Sequence, residues 1–204
     1  MKLYHNSLSP NARRPALVAQ HLGIAIETVA VDFRELRGPE FLKINPAGRI
    51  PVLVDGDFVL TESRAIMQYL ASQKPGLLPT SERARADVAR WQFWDAEHFS
   101  APLSTLAFEK LLKPMMGMGE PSEAAITESL ARYERSAKVV DAHLGKSEWL
   151  VDRSMTIADL SVAASLTYAV PSGAPLDPYP HLKAWLGRIR ELPAWQSTEP
   201  KPGG

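Results

Sequence analysis

The segment PVLVDGDFVL, residues 51–60, constrains the fold of this chain more than any other stretch. Two apolar runs flank Asp55-Gly56, and such a dipeptide between apolar runs is a strong signal of a tight β-hairpin. Two earlier segments, KLYH and IETVAVDF, have strand-like patterns, and PNARRPALVAQHLG between them has helical periodicity that stops at Gly23. A strand–helix–strand unit gives a parallel pair and a hairpin an antiparallel pair, so we predict a small mixed sheet.

Helices complete this first domain, and a second domain follows it. PEFLKIN predicts one or two helical turns, and SRAIMQYLASQ predicts a longer helix after the hairpin. The order βαβαββα is that of an α/β thioredoxin-like domain. After KPGLLPTS, residues 74–81, strand signals nearly vanish and helical patterns take over. We predict a thioredoxin-like domain over residues 1–78, a linker over 79–84 and an all-helical domain over 85–204, with EPKPGG as a loose tail.

Composition argues against several classes of function. Lys plus Arg and Asp plus Glu both number 23, so no basic excess favours nucleic acid as a partner. No run is apolar for long enough to span a bilayer, and MKLYHNSLSP contains no apolar export segment, which predicts a cytoplasmic protein. The five His show no metal-ligand spacing, so no metal is expected. The chain has 0 Cys, so any thiol in its chemistry must come with a ligand.

Ser9 follows the first strand and precedes Pro10, a favoured first-turn residue, so its position predicts a helix N-cap. It could be a cap and no more. A hydroxyl at the positive end of a helix could also stabilise a thiolate. A free thiol titrates at ~8.5, and a hydrogen bond worth about 1.5–3 kcal/mol would lower that pKa by about one to two units. Asn11 lies near the same helix start, and its amide could donate instead.

The steps Ile50-Pro51 and Glu62-Ser63 also have two interpretations each. A trans Pro51 could simply open an edge strand, whereas a cis bond would turn the Ile50 backbone outward to pair with a short peptide. Glu62 and Ser63 could form an ordinary helix start with an acidic residue. Alternatively, Ser63 and the helix N–H groups would bind a carboxylate and Glu62 an ammonium group, which together hold an amino-acid head group.

These three features together fit one small peptide. A thiolate site, a peptide-pairing site and an amino-acid head site in line match γ-glutamyl-cysteinyl-glycine, which is glutathione. Its glycine carboxylate would need a cation, and the available residues are Arg37 and Arg49. Each arginine could equally be an ordinary solvated surface charge.

Several motifs resemble the glutathione S-transferase family, and the resemblance covers nearly the whole chain. They are SLSPNARR, NPAGRIPVLVDGDFVLTESRAI and TIADLS. LLKPMMGMG and the closing YPHLKAWLGRIRELPAW resemble in particular the phi class and theta-like bacterial relatives. The resemblance implies Ser9 as the catalytic residue, Glu62-Ser63 as the γ-glutamyl site and a cis-Pro step at Ile50-Pro51.

The chain departs from the phi pattern at the glycine end of the site. The phi pattern NPFGQ reads NPAGR here, so Arg49 replaces Gln, and the phi His-Lys pair falls on Leu36 and Arg37. The SPN step also resembles TPN of the nu class, disulfide-bond reductases of the same fold in which Asn takes part near the sulfur. Asn11 therefore stays an alternative to Ser9.

Two further sets of residues take their interpretation from the family pattern and from spacing. Thr156 and Asp159 in TIADLS have capping-box spacing, so this motif is expected to be a folding element. In the family, the first long helix of the second domain and the loop after the first strand border the pocket of the second substrate. The expected electrophile contacts are Leu8, Pro10, Phe99, Leu103 and Leu106.

The resemblance implies a detoxifying transferase that conjugates glutathione, its co-substrate, to small apolar electrophiles and works as a homodimer. Two alternatives stay open. One is glutathione-dependent reduction of disulfides or peroxides on the same site, with Asn11 as the main sulfur contact. The other is a non-catalytic binding module, because the same fold serves as an interaction domain in translation factors. Intact Ser9, Glu62 and Ser63 argue against a pure binding module.

Overall fold

The structure of the chain is a computed structural model that describes residues 1–200, so the last four residues of the predicted EPKPGG tail lie outside the described residues. The chain divides into two compact units. One unit comprises Met1–Leu78 and residues 191–200, and the other comprises Pro79–Arg190. The predicted fold class, a thioredoxin-like domain followed by an all-helical domain, is confirmed.

The first unit is built on a four-stranded sheet of β1 (Lys2–His5), β2 (Glu27–Ala30), β3 (Val52–Asp55) and β4 (Phe58–Leu60). The order of the strands is β2-β1-β3-β4. β1 pairs parallel with β2 and antiparallel with β3, and β3 pairs antiparallel with β4. This is the mixed sheet that the crossover and the hairpin predict. The helices of this unit, in chain order with the strands between them, are α1 (Pro10–Leu22), α2 (Pro39–Ile44) and α3 (Ser63–Gln73), with a 3₁₀ turn at Glu35–Arg37.

The hairpin turn and the two faces of the sheet follow from local sequence. Gly56 has a φ of 61°, the left-handed conformation that a tight Asp-Gly turn requires. Side chains alternate across a strand, so Tyr4 and Val52 face α2 while Leu3 and Leu53 face the opposite side. On the first face, the buried core consists of Val31, Phe41 and Val52. On the second face, α1 packs against α3 and buries Leu17, Val18, Ile66, Met67 and Leu70.

The second unit is helical in every regular element that the structure describes. Two π-helical segments, Asp95–Ser100 and Phe108–Leu112, continue the helical run that the sequence predicts after residue 81. Within residues 1–200, no helix combines the length and the apolar character that crossing a membrane requires. The helices are α4 (Glu82–Trp94), α5 (Ala101–Ala107), α6 (Lys113–Met115), α7 (Glu123–Leu144), α8 (Ile157–Ser165) and α9 (Pro180–Arg190).

The N-terminus of α8 is closed by the capping box predicted from TIADLS. The fully buried carboxylate of Asp159 accepts hydrogen bonds from Thr156 N–H at 2.8 Å, Thr156 Oγ1 at 3.2 Å, Leu150 N–H at 3.0 Å and Trp185 Nε1 at 3.0 Å. Burial raises the pKa of Asp159, and the four donors oppose that rise because they favour the carboxylate. Asp159 is thus a structural hub of this unit.

The domain prediction differs from the structure at both ends of the second domain. Residues 79–84 are not wholly linker, because α4 begins at Glu82 with Ser81 as its cap. A further helix, α10 (Pro193–Ser197), was not predicted, and the segment that contains it belongs to the first unit. The reason is a long-range contact: the guanidinium of Arg13, in α1, stacks on the ring of Trp195.

Candidate active site

Three segments predicted to form the site lie at the same end of the sheet. Tyr4 of β1 lies opposite Val52 of β3, so the loop after β1 and the residues before β3 lie close together. Leu53 lies opposite Leu60, so the chain beyond β4 runs toward that same end. The topology therefore brings the loop with Ser9, the Ile50-Pro51 step and the Glu62-Ser63 step to one edge of the first unit.

Asn6 shapes the loop between β1 and α1. Its side chain donates to Val31 C=O at 3.0 Å and accepts from Leu8 N–H at 3.0 Å, while its backbone C=O accepts from Ser9 N–H at 3.0 Å. The loop is thus tied to the end of β2 and to itself. Ser9 reaches the helix start in an extended conformation, with φ −88° and ψ 115°, as an N-cap requires.

The Ser9 hydroxyl accepts from Ala12 N–H at 3.3 Å and caps α1. A hydroxyl has two lone pairs and one proton, so capping leaves the proton available for another acceptor. Within the part of the chain that the structure describes, this proton has no acceptor. The structural and the functional interpretation of Ser9 are therefore compatible, and the cap fixes the hydroxyl at the positive end of the helix.

Asn11 is exposed and lies two residues beyond Ser9, in the first turn of α1. Its Oδ1 accepts a hydrogen bond from the fully buried Arg14, which fixes the orientation of the amide. The amide NH₂ group makes no hydrogen bond with residues 1–200 and remains a second donor near the helix start. Ser9 and Asn11 therefore both stay candidates for the contact with sulfur.

The Ile50-Pro51 peptide bond is cis, as predicted. The side chain of Ile50 packs on the Val31, Phe41 and Val52 core, which anchors the residue. Neither its backbone N–H nor its C=O bonds to another described residue. This backbone is available to pair with an extended peptide.

The turn before Ile50 is held by the buried side chain of Asn45. Its Nδ2 donates to Arg49 C=O at 2.7 Å, and its Oδ1 accepts from Ala47 N–H at 3.1 Å. Gly48 follows with a φ of 58°, and a Cβ there would lie 2.7 Å from Leu36 O, so only glycine fits.

Both predicted cations for the glycine end lie at this turn. Arg37 donates through Nη1 to Ala47 C=O at 3.4 Å, which places its guanidinium beside the turn. Arg49 is part of the turn and is exposed, and its side chain makes no hydrogen bond with the described residues. Both arginines therefore stay candidate partners of a carboxylate at this turn.

Glu62 and Ser63 form an unusual helix start. Glu62, the N-cap of α3, has a φ of 65° and a ψ of 111° and makes no side-chain capping bond. A non-glycine residue in this region is strained, and such strain persists where the surroundings hold it. Ser63 is buried, at 6% exposure, yet its hydroxyl has no partner among residues 1–200. The first N–H groups of α3 and this hydroxyl remain as donors for an anion.

The predicted electrophile contacts fall into two groups. Leu8 and Pro10 flank Ser9 in the first unit and are half-buried. Phe99, Leu103 and Leu106 are buried in the helical unit, where Phe99 stacks on Trp94 at 5.7 Å between ring centroids. Core packing explains the burial of these last three without a ligand, and their role as electrophile contacts stays a prediction.

Partial burial lowers the pKa of two histidines, one before α1 and one within it. His5 ends β1 just before the loop that carries Ser9, and His21 lies in the last turn of α1. Within residues 1–200, no group of three or more His, Cys, Asp or Glu side chains is arranged to hold a metal ion.

Sequence reasoning missed two residues that shape the site, Asn6 and Asn45. Both bond to backbone groups two residues further along the chain, which is the Asx-turn pattern typical of Asn in loops. Their positions after a strand and before Pro46 are the signal that could have identified them.

Comparisons with known proteins agree with this geometry. The glutathione S-transferase N-terminal domain matches residues 1–72, and the C-terminal domain of the same family matches residues 103–193. Glutathione S-transferase 3 of Zea mays is 38% identical, with 97% of this chain and 92% of that relative covered. Glutathione S-transferase F10 of Arabidopsis thaliana is 35% identical, with 95% and 94% covered.

A solved structure is similar over the full length. Glutathione S-transferase I from maize, in complex with an atrazine–glutathione conjugate, has a TM-score of 0.90 and 33% identity, with 100% of this chain and 99% of that chain covered. The chain belongs to the glutathione S-transferase family. The prediction that the chain is a member of the glutathione S-transferase family, and an enzyme of the transferase type, is confirmed.

Proposed function

We propose that this protein binds glutathione at the edge of its first unit and conjugates the thiolate to small apolar electrophiles. The observation that carries the proposal is the convergence of three groups at one end of the sheet. These are the Ser9 hydroxyl, the unpaired Ile50 backbone and the open N-terminus of α3 at Ser63. The similar maize transferase in complex with an atrazine–glutathione conjugate supports this reaction class.

The proposed role of Ser9 is to stabilise the attacking thiolate. The capping bond from Ala12 N–H orients the hydroxyl, which can then donate its proton to sulfur. A hydrogen bond to a charged acceptor, about 1.5–3 kcal/mol, lowers a thiol pKa by about one to two units. The bound thiol is then largely ionised near neutral pH, and it attacks the electrophile without a covalent enzyme intermediate.

The proposed peptide contacts follow the order of the tripeptide. Ile50 pairs with the cysteinyl backbone, since its N–H and C=O have no bonds to the described residues. Ser63 and the first N–H groups of α3 bind the γ-glutamyl carboxylate, and Glu62 binds its ammonium group. Arg37 or Arg49 binds the glycine carboxylate.

Several finer features belong to the same proposal. We infer a homodimer of the phi class, located in the cytoplasm, that acts without a metal. The motif resemblance and the plant relatives support the class. Family architecture alone supports the proposed electrophile contacts, which are Leu8, Pro10, Phe99, Leu103 and Leu106.

Glutathione-dependent reduction remains a second candidate, because Asn11 keeps an amide NH₂ group without a partner in the described part of the chain. Ser9→Ala distinguishes the two reactions. For conjugation, we expect at least a tenfold fall in kcat/KM with a chlorodinitrobenzene substrate, since the lost bond is worth about 1.5–3 kcal/mol. Retained disulfide reduction in Ser9→Ala, lost in Asn11→Ala, would favour the reductase.

Loss of the helix cap needs its own control. Ser122 caps α7 by accepting from Ala125 N–H at 3.3 Å, the same geometry as Ser9. Ser122→Ala is expected to cost about 1 kcal/mol of stability without changing conjugation. If glutathione at high concentration does not raise the Tm of the wild-type protein, both enzymatic functions are wrong.

A further inference from the structure

Arg13 joins the first turn of α1 to the C-terminal segment of the same unit. Its side chain is buried, and its guanidinium carbon lies 3.8 Å from the centroid of the Trp195 ring. The guanidinium donates to Trp195 C=O at 2.8 Å and to Thr198 Oγ1 at 3.3 Å. A guanidinium that is desolvated, stacked and hydrogen-bonded in this way is held in one position.

The backbone of the same residue bonds to Ser9. Arg13 N–H donates to Ser9 C=O at 2.9 Å, and this bond closes the first turn of α1. The neighbouring Ala12 N–H holds the Ser9 hydroxyl at 3.3 Å. If the side chain of Arg13 moves, the backbone of the first turn of α1 moves with it, and the Ser9 hydroxyl bonded to that turn changes position.

A cavity lies between the loop that carries Ser9, Arg13 of α1 and the C-terminal segment. This cavity of about 280 Å³ is lined by Asn6 and Ser7 of the loop, Arg13 of α1, and Ser197 and Thr198 of the C-terminal segment. A close-packed neighbour would restrain the loop by contact, but a cavity does not. The bonds of Asn6 hold the loop itself. Across the cavity, the bonds of Arg13 are what ties the first turn of α1 to the C-terminal segment.

We propose that Arg13 and Trp195 are positioning residues for thiolate activation, because they hold the first turn of α1 so that the Ser9 hydroxyl stays aimed at the sulfur of glutathione. The inference rests on the proposed function. It assigns to the C-terminal segment a catalytic consequence that arises through Ser9 rather than through contact with either substrate.

The test measures the pKa of the bound glutathione thiol from the ultraviolet absorbance of the thiolate. Arg13→Leu and Trp195→Leu are expected to raise this pKa by about one unit, which lowers the thiolate fraction about tenfold at a pH below both values. Arg188→Leu is the matched control, since Arg188 stacks on Trp149 at 5.3 Å in the other unit and makes no bond to α1. Its thiol pKa is expected to equal that of the wild type.

A double-mutant cycle separates positioning from a general loss of structure. If Arg13 acts through Ser9, Arg13→Leu changes the thiol pKa in the wild type and adds nothing in the Ser9→Ala background. Equal shifts in both backgrounds, or no shift in the folded Arg13→Leu protein, overturn the inference. If Ser9→Ala itself leaves the thiol pKa unchanged, it is the proposed role of Ser9 that fails.

A second pair of variants keeps the test decisive if Arg13→Leu does not fold. Trp195→Phe keeps an aromatic face for the guanidinium and is expected to retain most of the thiolate, whereas Trp195→Leu is not. Arg13→Lys keeps the charge but not the planar stack, so its thiol pKa should fall between those of the wild type and Trp195→Leu. Equal thiol pKa values in Trp195→Phe, Trp195→Leu and the wild type would overturn the inference.

Discussion

The N-termini of α3 and α8 show opposite solutions to the same problem. At α8, the Thr156 hydroxyl accepts from Ala158 N–H, and the Asp159 carboxylate accepts from Thr156 N–H. At α3, Glu62 makes no side-chain cap and the Ser63 hydroxyl has no partner within residues 1–200. Every helix begins with N–H groups that lack intrahelical acceptors. A helix start closed from within stabilises the fold, and one left open can bind an anion.

The largest expected effect comes from disturbing the closed end. Asp159→Asn keeps the shape of the side chain but directs an NH₂ group toward donors that now face the carboxylate. Because unsatisfied buried donors cost about 1–3 kcal/mol each, we expect a loss of about 2–4 kcal/mol in the free energy of unfolding, measured in urea.

Asp177→Asn is the control for that substitution. Asp177 is exposed and bonds to Lys183 at 2.6 Å, so solvent screens this ion pair and the same chemical change should leave the free energy of unfolding nearly unchanged. A loss at Asp159 no greater than the loss at Asp177 would contradict the structural role assigned to the α8 cap.

A substitution at the open N-terminus of α3 is expected to change the affinity for glutathione and not the free energy of unfolding. Ser63→Ala should weaken glutathione binding about tenfold, which corresponds to about 1.4 kcal/mol, because a hydroxyl donor to a carboxylate is lost. The free energy of unfolding without ligand should stay within about 0.5 kcal/mol, since the hydroxyl has no partner to lose within the described residues. Calorimetric titration measures the first quantity and urea denaturation the second.

Thr156→Ala, at the closed N-terminus of α8, is expected to give the opposite pattern, with a change in stability and none in binding. It should lower the free energy of unfolding by about 1–2 kcal/mol and leave the glutathione dissociation constant unchanged. If Ser63→Ala destabilised the fold and left binding intact, the distinction between the two helix ends would be wrong.

The strained residue at the open end gives a smaller effect. Glu62→Gly should raise the free energy of unfolding by about 1 kcal/mol, because glycine accepts a φ of 65° without the cost that glutamate bears. The same change should weaken glutathione binding, since the carboxylate is lost. Glu62→Gln separates the two effects, because it keeps the strain and removes the charge.

Asp152 offers a matched position for this test. It is the other non-glycine residue with positive φ among residues 1–200, at 54°, and it lies in the helical unit. Asp152→Gly should also stabilise the fold, but glutathione binding should not change. Equal binding in Glu62→Gly and the wild type would remove Glu62 from the proposed site.

Local patterns predicted much of this site, and long-range contacts account for what they missed. Asp55-Gly56 and Ser9-Pro10 identified the hairpin turn and the helix cap because turn and cap chemistry is local. The stack of Arg13 on Trp195 joins residues 182 positions apart, and no periodicity links them. The strained φ of Glu62 was also invisible, because the tertiary surroundings impose it on a residue that does not favour it.

The smallest expected effect is on the pH dependence of the free energy of unfolding, and it comes from two histidines of the first unit, which also contains α3. Burial lowers the pKa of His5 and His21, so the folded chain binds fewer protons there than the unfolded chain does. Their contribution to stability is therefore complete above the unfolded pKa, about 6.5, and is lost as the pH falls toward the lowered folded values. His5→Gln and His21→Gln should each flatten the pH dependence of the free energy of unfolding between about pH 7 and 5. Urea denaturation across that range measures this slope, and an unchanged slope in the double variant would show that neither histidine couples protonation to folding.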